Sequence, residues 1–176
     1  MRSRFTAAGL FALALLVSVA SVGAARASAQ DKVSASDFNG VWVLDAAKSE
    51  GVRPGMEETM TVKREGNSFT VESKIKGERG ERTMNNAFTA DGKEGEFTMR
   101  MGPNETKGKR TAKLSADGKS LEVAEGMSFQ TPDGTNVDAK TTRRWTLAAD
   151  GKTLTIEENR TGGMRAGQSK RVYAKQ

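Results

Sequence analysis

The stretch RRWTLAADGKTLTIEENR, residues 143–160, decides the fold. Apolar and polar side chains alternate on both sides of Asp150-Gly151, as they do along β-strands with one buried face. Asp-Gly accommodates the positive φ angles of a two-residue hairpin turn. A tip at this dipeptide sets the register and opposes Leu147 to Leu154, Trp145 to Ile156, and Arg143 to Glu158. The stretch therefore predicts a β-hairpin that is apolar near its tip and charged farther out.

Similar turn signals recur along the rest of the chain. They are Gly66-Asn67, residues 77–80, Asp91-Gly92, Asp117-Gly118, residues 132–134 and Gly162-Gly163. The tetrapeptide ADGK occurs at three of the turns, which suggests a repeated hairpin device. The predicted strands between the turns are residues 40–45, 57–64, 68–76, 81–89, 94–101, 107–115, 119–129, 136–147, 152–160 and 168–175. Residues 46–48 form the one helix candidate after the N-terminal segment.

Sequential strands joined by tight turns form a meander, and a long meander removes its exposed edges by closing on itself. The sequence thus predicts an all-β protein, an up-and-down antiparallel meander that closes into a barrel of about 8–10 strands. A two-sheet sandwich is the alternative, but it needs longer Greek-key connections, which are not visible here.

The other turns predict further registers. The Asp117-Gly118 turn opposes Leu114 to Leu121, Ala112 to Val123 and Arg110 to Glu125. The Asp91-Gly92 turn opposes Asn86 to Phe97, Met84 to Met99 and Arg82 to Met101, and the Glu78-Arg79 turn opposes Phe69 to Phe88, Val71 to Asn86 and Ile75 to Arg82. If the charged members face the lumen, Arg82, Arg110 and Arg143 lie against Glu125 and Glu158 at a polar end, above an apolar floor that suits a small molecule. The alternative is a solvated rim, or internal ion pairs that only fill space.

The N-terminal segment predicts export. Arg2 and Arg4 precede an apolar run at residues 10–19, and Ala27-Ser28-Ala29 supplies a cleavage site. We expect residues 1–29 to be a signal peptide, residues 30–176 to be a single β-barrel domain, and the protein to be secreted or periplasmic. An uncleaved N-terminal anchor is the alternative, although the run is shorter than the about 20 residues of a spanning helix.

Composition excludes several classes of function. The chain has no cysteine and no histidine, so disulfides, thiol nucleophiles, Cys or His metal sites and histidine-based catalysis are impossible. Residues 1–29 hold three arginines and no acid, so their removal lowers the formal net charge from +6 to +3. Basic and acidic residues are evenly mixed, which argues against nucleic-acid binding. We expect no cofactor, no metal and no membrane anchor.

Two terminal motifs carry a family resemblance. Phe38-x-Gly40-x-Trp42-x-Leu44, followed by Lys48-Ser49, resembles the entry strand of the calycin barrels, which are the lipocalins and fatty-acid-binding proteins. Arg171-x-Tyr173-x-Lys175 is similar to the last strand of fatty-acid-binding proteins. The resemblance implies that Gly40 and Trp42 are a structural signature, and that Trp42 closes one barrel end against a late-strand arginine, with Arg171 as first choice. It also implies that Arg171 and Tyr173 hold a ligand carboxylate.

The chain departs from the fatty-acid-binding pattern because the helix-turn-helix lid after the first strand is missing. As a whole, it most resembles exported bacterial lipocalin-like proteins with a GxWxLDxxKS start and an RWTLxxDGKTLTIE hairpin.

The sequence favours a monomeric binding module for an apolar or anionic amphiphile, such as a fatty acid, over two alternatives. The expected ligand-binding residues are Arg143, Arg171, Tyr173, Arg110, Glu125, Glu158, Met84 and Met99, with the ligand tail over Met84, Phe97, Met99 and Val123. The methionines either fill the core or form an adaptable apolar lining. The alternatives are a structural or stress-related envelope protein with a filled barrel, and an enzyme. We expect no enzyme, because an arginine opposite each of Glu125 and Glu158 favours ion pairing over acid catalysis.

Overall fold

The computed structural model describes residues 38–78, 80–101, 104–131, 133–163 and 166–176, so the predicted signal peptide lies outside the described residues. The ten strands are β1 Gly40–Leu44, β2 Glu57–Glu65, β3 Ser68–Gly77, β4 Gly80–Thr89, β5 Asp91–Met101, β6 Asn104–Leu114, β7 Ser120–Gln130, β8 Asn136–Leu147, β9 Thr153–Thr161 and β10 Gly167–Lys175. A single 3₁₀ turn, Ala46–Lys48, follows β1. The predicted all-β class and the predicted helix position are both confirmed.

The strands form one antiparallel sheet in the order β4-β3-β2-β1-β10-β9-β8-β7-β6-β5. Among the described strands, consecutive ones pair with each other except β4 and β5, and β1 pairs with β10, which brings the two ends of the domain together. The sheet curls into a nearly closed barrel. Its one gap lies between β4 and β5, which form no ladder within the described residues. No helix in the described part of the chain is long and apolar enough to cross a membrane.

Three of the four predicted registers are confirmed. The β8–β9 hairpin pairs Arg143 with Glu158 and Trp145 with Ile156, and the β6–β7 hairpin pairs Arg110 with Glu125. The β3–β4 hairpin pairs Phe69 with Phe88 and Ile75 with Arg82. Period-two alternation and turn position were sufficient to place these residues opposite one another.

The prediction of a hairpin at Asp91-Gly92 is wrong, because β4 and β5 do not pair with each other in the part of the chain that the structure describes. The local turn chemistry is nevertheless the same at all three ADGK sites, because each aspartate accepts a hydrogen bond from the backbone N–H of the lysine two residues later: Lys93 to Asp91 at 3.0 Å, Lys119 to Asp117 at 3.0 Å and Lys152 to Asp150 at 2.8 Å. At the first site, however, the turn sits at the start of β5, next to a bulge between Asp91 and Glu94.

The backbone of Ala90 explains why β4 and β5 separate. Its N–H donates to Asn67 O at 2.7 Å in the β2–β3 turn, and its carbonyl accepts from Leu114 N at 3.4 Å at the end of β6. Ala90 is therefore bound to two other hairpins, and the chain passes from one half of the barrel to the other without folding back on β4. The predicted pairs Asn86–Phe97, Met84–Met99 and Arg82–Met101 do not form ladder partners.

Aromatic and aliphatic side chains fill the end of the barrel where the β2–β3, β6–β7 and β8–β9 turns lie. Phe38 packs edge-on against Phe69 and Trp145, with ring centroids 5.8 and 6.2 Å apart, and Phe69 stacks on Phe88 at 5.4 Å. Trp42 is fully buried, and its indole Nε1 donates to Phe38 O at 2.8 Å. We call this the closed end.

The predicted burial of Trp42 is confirmed, but its predicted cationic neighbour is not. Lys175 Nζ lies 5.1 Å from the Trp42 ring centroid, and Arg171 lies elsewhere. Gly40 makes this contact possible, because a Cβ at this position would come within 2.7 Å of Lys175 Cε and the backbone has φ +137°. The absence of a side chain at Gly40 thus allows Lys175 of β10 to pack over Gly40 and contact the Trp42 ring on β1.

Candidate functional site

Seven charged side chains line the barrel interior at about mid-height, and we call them the charge belt. Four ion pairs run from strand to strand: Arg110–Glu125 at 2.6 Å, Glu125–Arg143 at 2.7 Å, Arg143–Glu158 at 2.6 Å and Glu158–Arg160 at 2.8 Å. Arg171 and Glu58 complete the belt, with Arg171 Nη1 3.6 Å from Glu58 Oε2. The belt holds four arginines and three glutamates, so it has one positive charge in excess.

Strand alternation places the belt inside the barrel. On β7, Leu121, Val123 and Glu125 occupy successive inward positions, and all three are buried. On β2, Glu58 is followed by Met60 and Val62 on the same buried face. The core therefore changes from apolar to charged within single strands.

The structure adds Glu58 and Arg160 to the residues that the sequence pointed to. The period-two signal was present for both, since Glu58 shares its parity with Met60, and Arg160 shares its parity with Ile156 and Glu158. For Glu58 the missing information was long-range, because its partners Arg171 and Tyr173 lie on β10, whereas Arg160 pairs with Glu158 two residues away on the same face of β9.

Arg143 is the centre of the belt. Its Nη1 donates to Glu125 and its Nε donates to Glu158, at 2.7 and 2.6 Å. Burial alone would raise the pKa of Glu125, but the charges of Arg143 and Arg110, and then hydrogen bonds from both, outweigh it and lower this pKa below its usual value. The pKa of Glu158 is lowered in the same way, with burial opposed by the charges of Arg143 and Arg160. Both carboxyls are thus ionised ion-pair partners at neutral pH.

Arg110 reaches across the gap between β4 and β5. Its guanidinium donates to Ala87 O and to Asn86 Oδ1, both at 3.3 Å. It also lies over the rings of Phe88 and Phe97, at 5.3 and 4.6 Å from the centroids. Arg110 therefore joins the two strands that have no backbone ladder, and its contacts are structural on every side.

Arg171 and Tyr173 hold a carboxylate that belongs to the protein. Tyr173 Oη donates to Glu58 Oε2 at 3.1 Å, and the same oxygen is the one facing Arg171. Burial, and then the charge of Glu58, raise the pKa of Tyr173, so the residue remains a neutral phenol that donates. Arg171 Nε is buried and has no hydrogen-bond partner among the described residues.

A cavity of about 470 Å³ opens at the end of the barrel opposite the closed end. It lies between the β1–β2 connection, the β3–β4 turn and the start of β10, and we call it the mouth cavity. Its lining includes Arg82, Arg160, Arg171, Glu158 and Ser169. A side chain at Gly167, opposite Arg160 in the β9–β10 ladder, would meet open space. The mouth cavity therefore presents cationic groups with room beside them.

The remaining predicted lining residues divide between the two ends. Met84 is exposed, at 39%, and Phe97 and Met99 are half-buried on inward positions of β5. Val123 is only 4% exposed, inside the packed core, so it is not available to a ligand tail. The expectation of a tail over Val123 is wrong, because apolar side chains fill the barrel below the belt.

Two larger hollows, of about 750 and 650 Å³, lie elsewhere. They share Thr111, Ala124 and Thr142, which point outward by strand alternation, and exposed charged side chains surround them, such as Arg144 at the first and Lys109 at the second. They are depressions on the outer face of the sheet. Among the described residues, no group of three or more Asp, Glu, His or Cys side chains could hold a metal ion.

Fold and site together define a class: a nearly closed, ten-stranded antiparallel barrel with one packed end, a charged mid-section and an open mouth. No protein-family model matches the sequence, and no curated protein matches it.

Two solved structures show what the chain is similar to. One is zebrafish ileal bile acid-binding protein complexed with cholic acid, with TM-score 0.49 and 18% identity over 79% of this chain and 98% of that one. The other is secretory abundant heat soluble protein 4 from Ramazzottius varieornatus, with TM-score 0.47 and 14% identity over 78% of this chain and 94% of that one.

Proposed function

We propose that this protein is an exported binding module for a small amphiphile with a singly charged anionic head group, held in the mouth cavity. The observation that carries the proposal is the incomplete neutralisation of the charge belt. Four arginines share three glutamates, and one of them, Arg171, lines the cavity and has a buried Nε without a hydrogen-bond partner among the described residues. A guanidinium in a partly desolvated site is a strong partner for a carboxylate.

The cavity wall suits the rest of such a ligand. Its volume lies within the range of about 300–1,000 Å³ that small-molecule sites occupy. Ile75 and Met56 line it, and Met84 and Met99 occupy nearby inward positions toward the same end. Methionine side chains adapt to differently shaped apolar groups. The ligand head would lie beside Arg160 and Arg171, with the apolar body along these side chains.

Three further parts of the proposal rest on the sequence. The N-terminal segment supports export to the periplasm or medium. The ion pairing of Glu125 and Glu158 supports a binding role over catalysis. The terminal motifs support a relation to exported lipocalin-like proteins.

The test uses residues 30–176 with two matched probes, dodecanoate and dodecanol, titrated by calorimetry. Arg171→Ala should weaken dodecanoate by about tenfold or more and leave dodecanol within about twofold, because a hydrogen bond to a charged group contributes about 1.5–3 kcal/mol. Arg144→Ala, on the outer face of the sheet, is the control and should change neither affinity. Equal affinities of the unsubstituted protein for acid and alcohol, unchanged by Arg171→Ala, would contradict the anionic head group.

A second candidate, a structural barrel with no ligand, is favoured by one observation. The closed end is filled by Phe38, Trp42, Phe69 and their neighbours, so this end of the interior has no room for a ligand. Native mass spectrometry of the protein isolated from its export compartment separates the candidates. A bound small mass that disappears in Arg171→Ala supports the binding module, whereas an empty protein that also ignores both probes supports the structural barrel.

A further inference from the structure

Arg171 and Tyr173, which the resemblance to fatty-acid-binding proteins implies as partners of a ligand carboxylate, already face a carboxylate of the protein itself. Tyr173 Oη and Arg171 Nη1 both face Oε2 of Glu58, at 3.1 and 3.6 Å. Glu58 is 5% exposed and Tyr173 is 1% exposed, so this carboxylate is enclosed within the barrel. Glu58 comes from β2, whereas its two partners come from β10, and β1 lies between these strands. The contact therefore reaches across β1 inside the barrel and depends on the pairing of β1 with both β2 and β10.

We propose that Glu58 is a specificity-determining residue that takes the place of a ligand head group at the Arg171–Tyr173 pair. This inference rests on the proposed function and deepens it. Glu58 confines an incoming anion to the other side of Arg171, toward Arg160, which lies on β9 and lines the mouth cavity together with Arg171. It also lowers the affinity for anions, since it contributes a negative charge next to the guanidinium that must bind them.

The hydrogen-bond donors of Arg171 and Tyr173 determine how Glu58 affects the affinity for anions. A tyrosine hydroxyl has one proton to donate, and Tyr173 donates it to Glu58. A ligand carboxylate beside Arg171 thus gains no hydrogen bond from Tyr173 while Glu58 is present. Removal of the Glu58 carboxylate frees one hydroxyl donor and one face of a guanidinium and leaves space for another carboxylate. The resulting site should bind anions more tightly than the natural one.

The experiment measures dodecanoate and dodecanol affinities for the unsubstituted domain, for Glu58→Ala, for Tyr173→Phe and for the double variant. Glu58→Ala should bind dodecanoate about tenfold more tightly, a gain of about 1.4 kcal/mol, with dodecanol changed much less. Tyr173→Phe should leave dodecanoate affinity unchanged by itself and should remove most of the gain in the Glu58→Ala background. Glu122→Gln on the outer face adds the same unit of net charge and should change neither affinity.

Folding is checked by a cooperative thermal transition without ligand, because Glu58→Ala leaves the buried Tyr173 hydroxyl without its acceptor. Glu58→Gln keeps the side-chain volume and an acceptor for Tyr173 while removing the charge. It should show a smaller gain in dodecanoate affinity that Tyr173→Phe does not affect. This variant keeps the inference testable if Glu58→Ala does not fold.

The results for these variants distinguish failure of the proposed function from failure of the inference about Glu58. If the unsubstituted domain binds dodecanoate through Arg171 but neither Glu58 variant binds it more tightly, the inference is overturned and the proposed function stands. If the unsubstituted domain binds no anion but Glu58→Ala does, in a manner that depends on Tyr173, the proposed function fails and Glu58 is the residue that blocks the site. Anion binding by none of these proteins overturns both.

Discussion

The closed end and the mouth end of the barrel are built from the same strands, yet they solve opposite problems. The closed end buries aromatic and branched side chains with almost no exposed surface, and its turns are short and fixed by aspartate side chains. The mouth end leaves Met84 and Arg82 exposed and encloses a cavity. Stability should therefore reside mainly below the charge belt, and ligand contact above it.

The belt is the boundary between these regions. Along β9, Leu154 and Ile156 are buried below it, and Glu158 and Arg160 belong to it and line the mouth cavity. Ion pairs in such a place add little net stability compared with apolar packing, but breaking one leaves an unpaired buried charge. The belt can hence close the core without filling the cavity, but each of its buried carboxylates needs an arginine partner.

The largest expected effect distinguishes the two ends directly. Trp42→Ala removes a fully buried indole and its hydrogen bond to Phe38 O, and should lower the free energy of unfolding by about 3–5 kcal/mol. Met84→Ala removes a partly exposed side chain near the mouth and should lower it by less than about 1 kcal/mol. Urea unfolding followed by circular dichroism measures both. Equal losses would mean that the core extends through the mouth.

The next prediction compares two neighbouring arginines on opposite faces of β8. Arg143 bonds two belt carboxylates, so Arg143→Ala should destabilise the protein by about 2–3 kcal/mol, below the range for a fully buried pair because this side chain is 24% exposed. Arg144 pairs with Glu122 on the outer surface, where both side chains are mostly exposed, and Arg144→Ala should cost less than about 0.5 kcal/mol. Comparable costs for both substitutions would remove the distinction between belt and surface.

Much of this comparison could be predicted from the sequence, because it depends on local rules. Asp117-Gly118 and Asp150-Gly151 fix hairpin register, and alternation then places Arg110 against Glu125 and Arg143 against Glu158. Even the contrast between apolar tips and a charged region farther out follows from these pairs. The fold class and these two pairs of the charge belt could accordingly be predicted from the sequence.

What could not be predicted depends on closure of the sheet. The separation of β4 from β5 is set by hydrogen bonds from Ala90 to two other hairpins, and no turn signal encodes them. The contact of Glu58 with Tyr173 joins residues 115 positions apart, across β1. Lys175 replaces Arg171 beside Trp42 because the register between first and last strand decides which cation reaches the ring.

The smallest expected effect is the dependence of the free energy of unfolding on acidic pH, which tests the charge of the belt carboxylates. In the folded protein the pKa values of Glu125 and Glu158 lie below the usual 4.5 of a glutamate, since the arginine charges outweigh burial. A carboxyl whose pKa is lowered on folding stabilises the protein above the unfolded pKa and loses this contribution as the pH falls through the folded value. The free energy of unfolding should hold from neutral pH to about pH 5 and decline in more acidic solution.

Turn aspartates such as Asp117 also have lowered pKa values, so the acid decline of the unsubstituted protein is not specific to the belt. Glu125→Gln isolates the belt contribution. This variant should be less stable than the unsubstituted protein at neutral pH, and the difference should narrow below about pH 4.5, where the natural carboxyl takes up a proton as well. Urea unfolding of both proteins at several pH values gives the difference directly. A difference that stays constant with pH would mean that Glu125 acts through packing, and that the boundary between core and mouth does not depend on its charge.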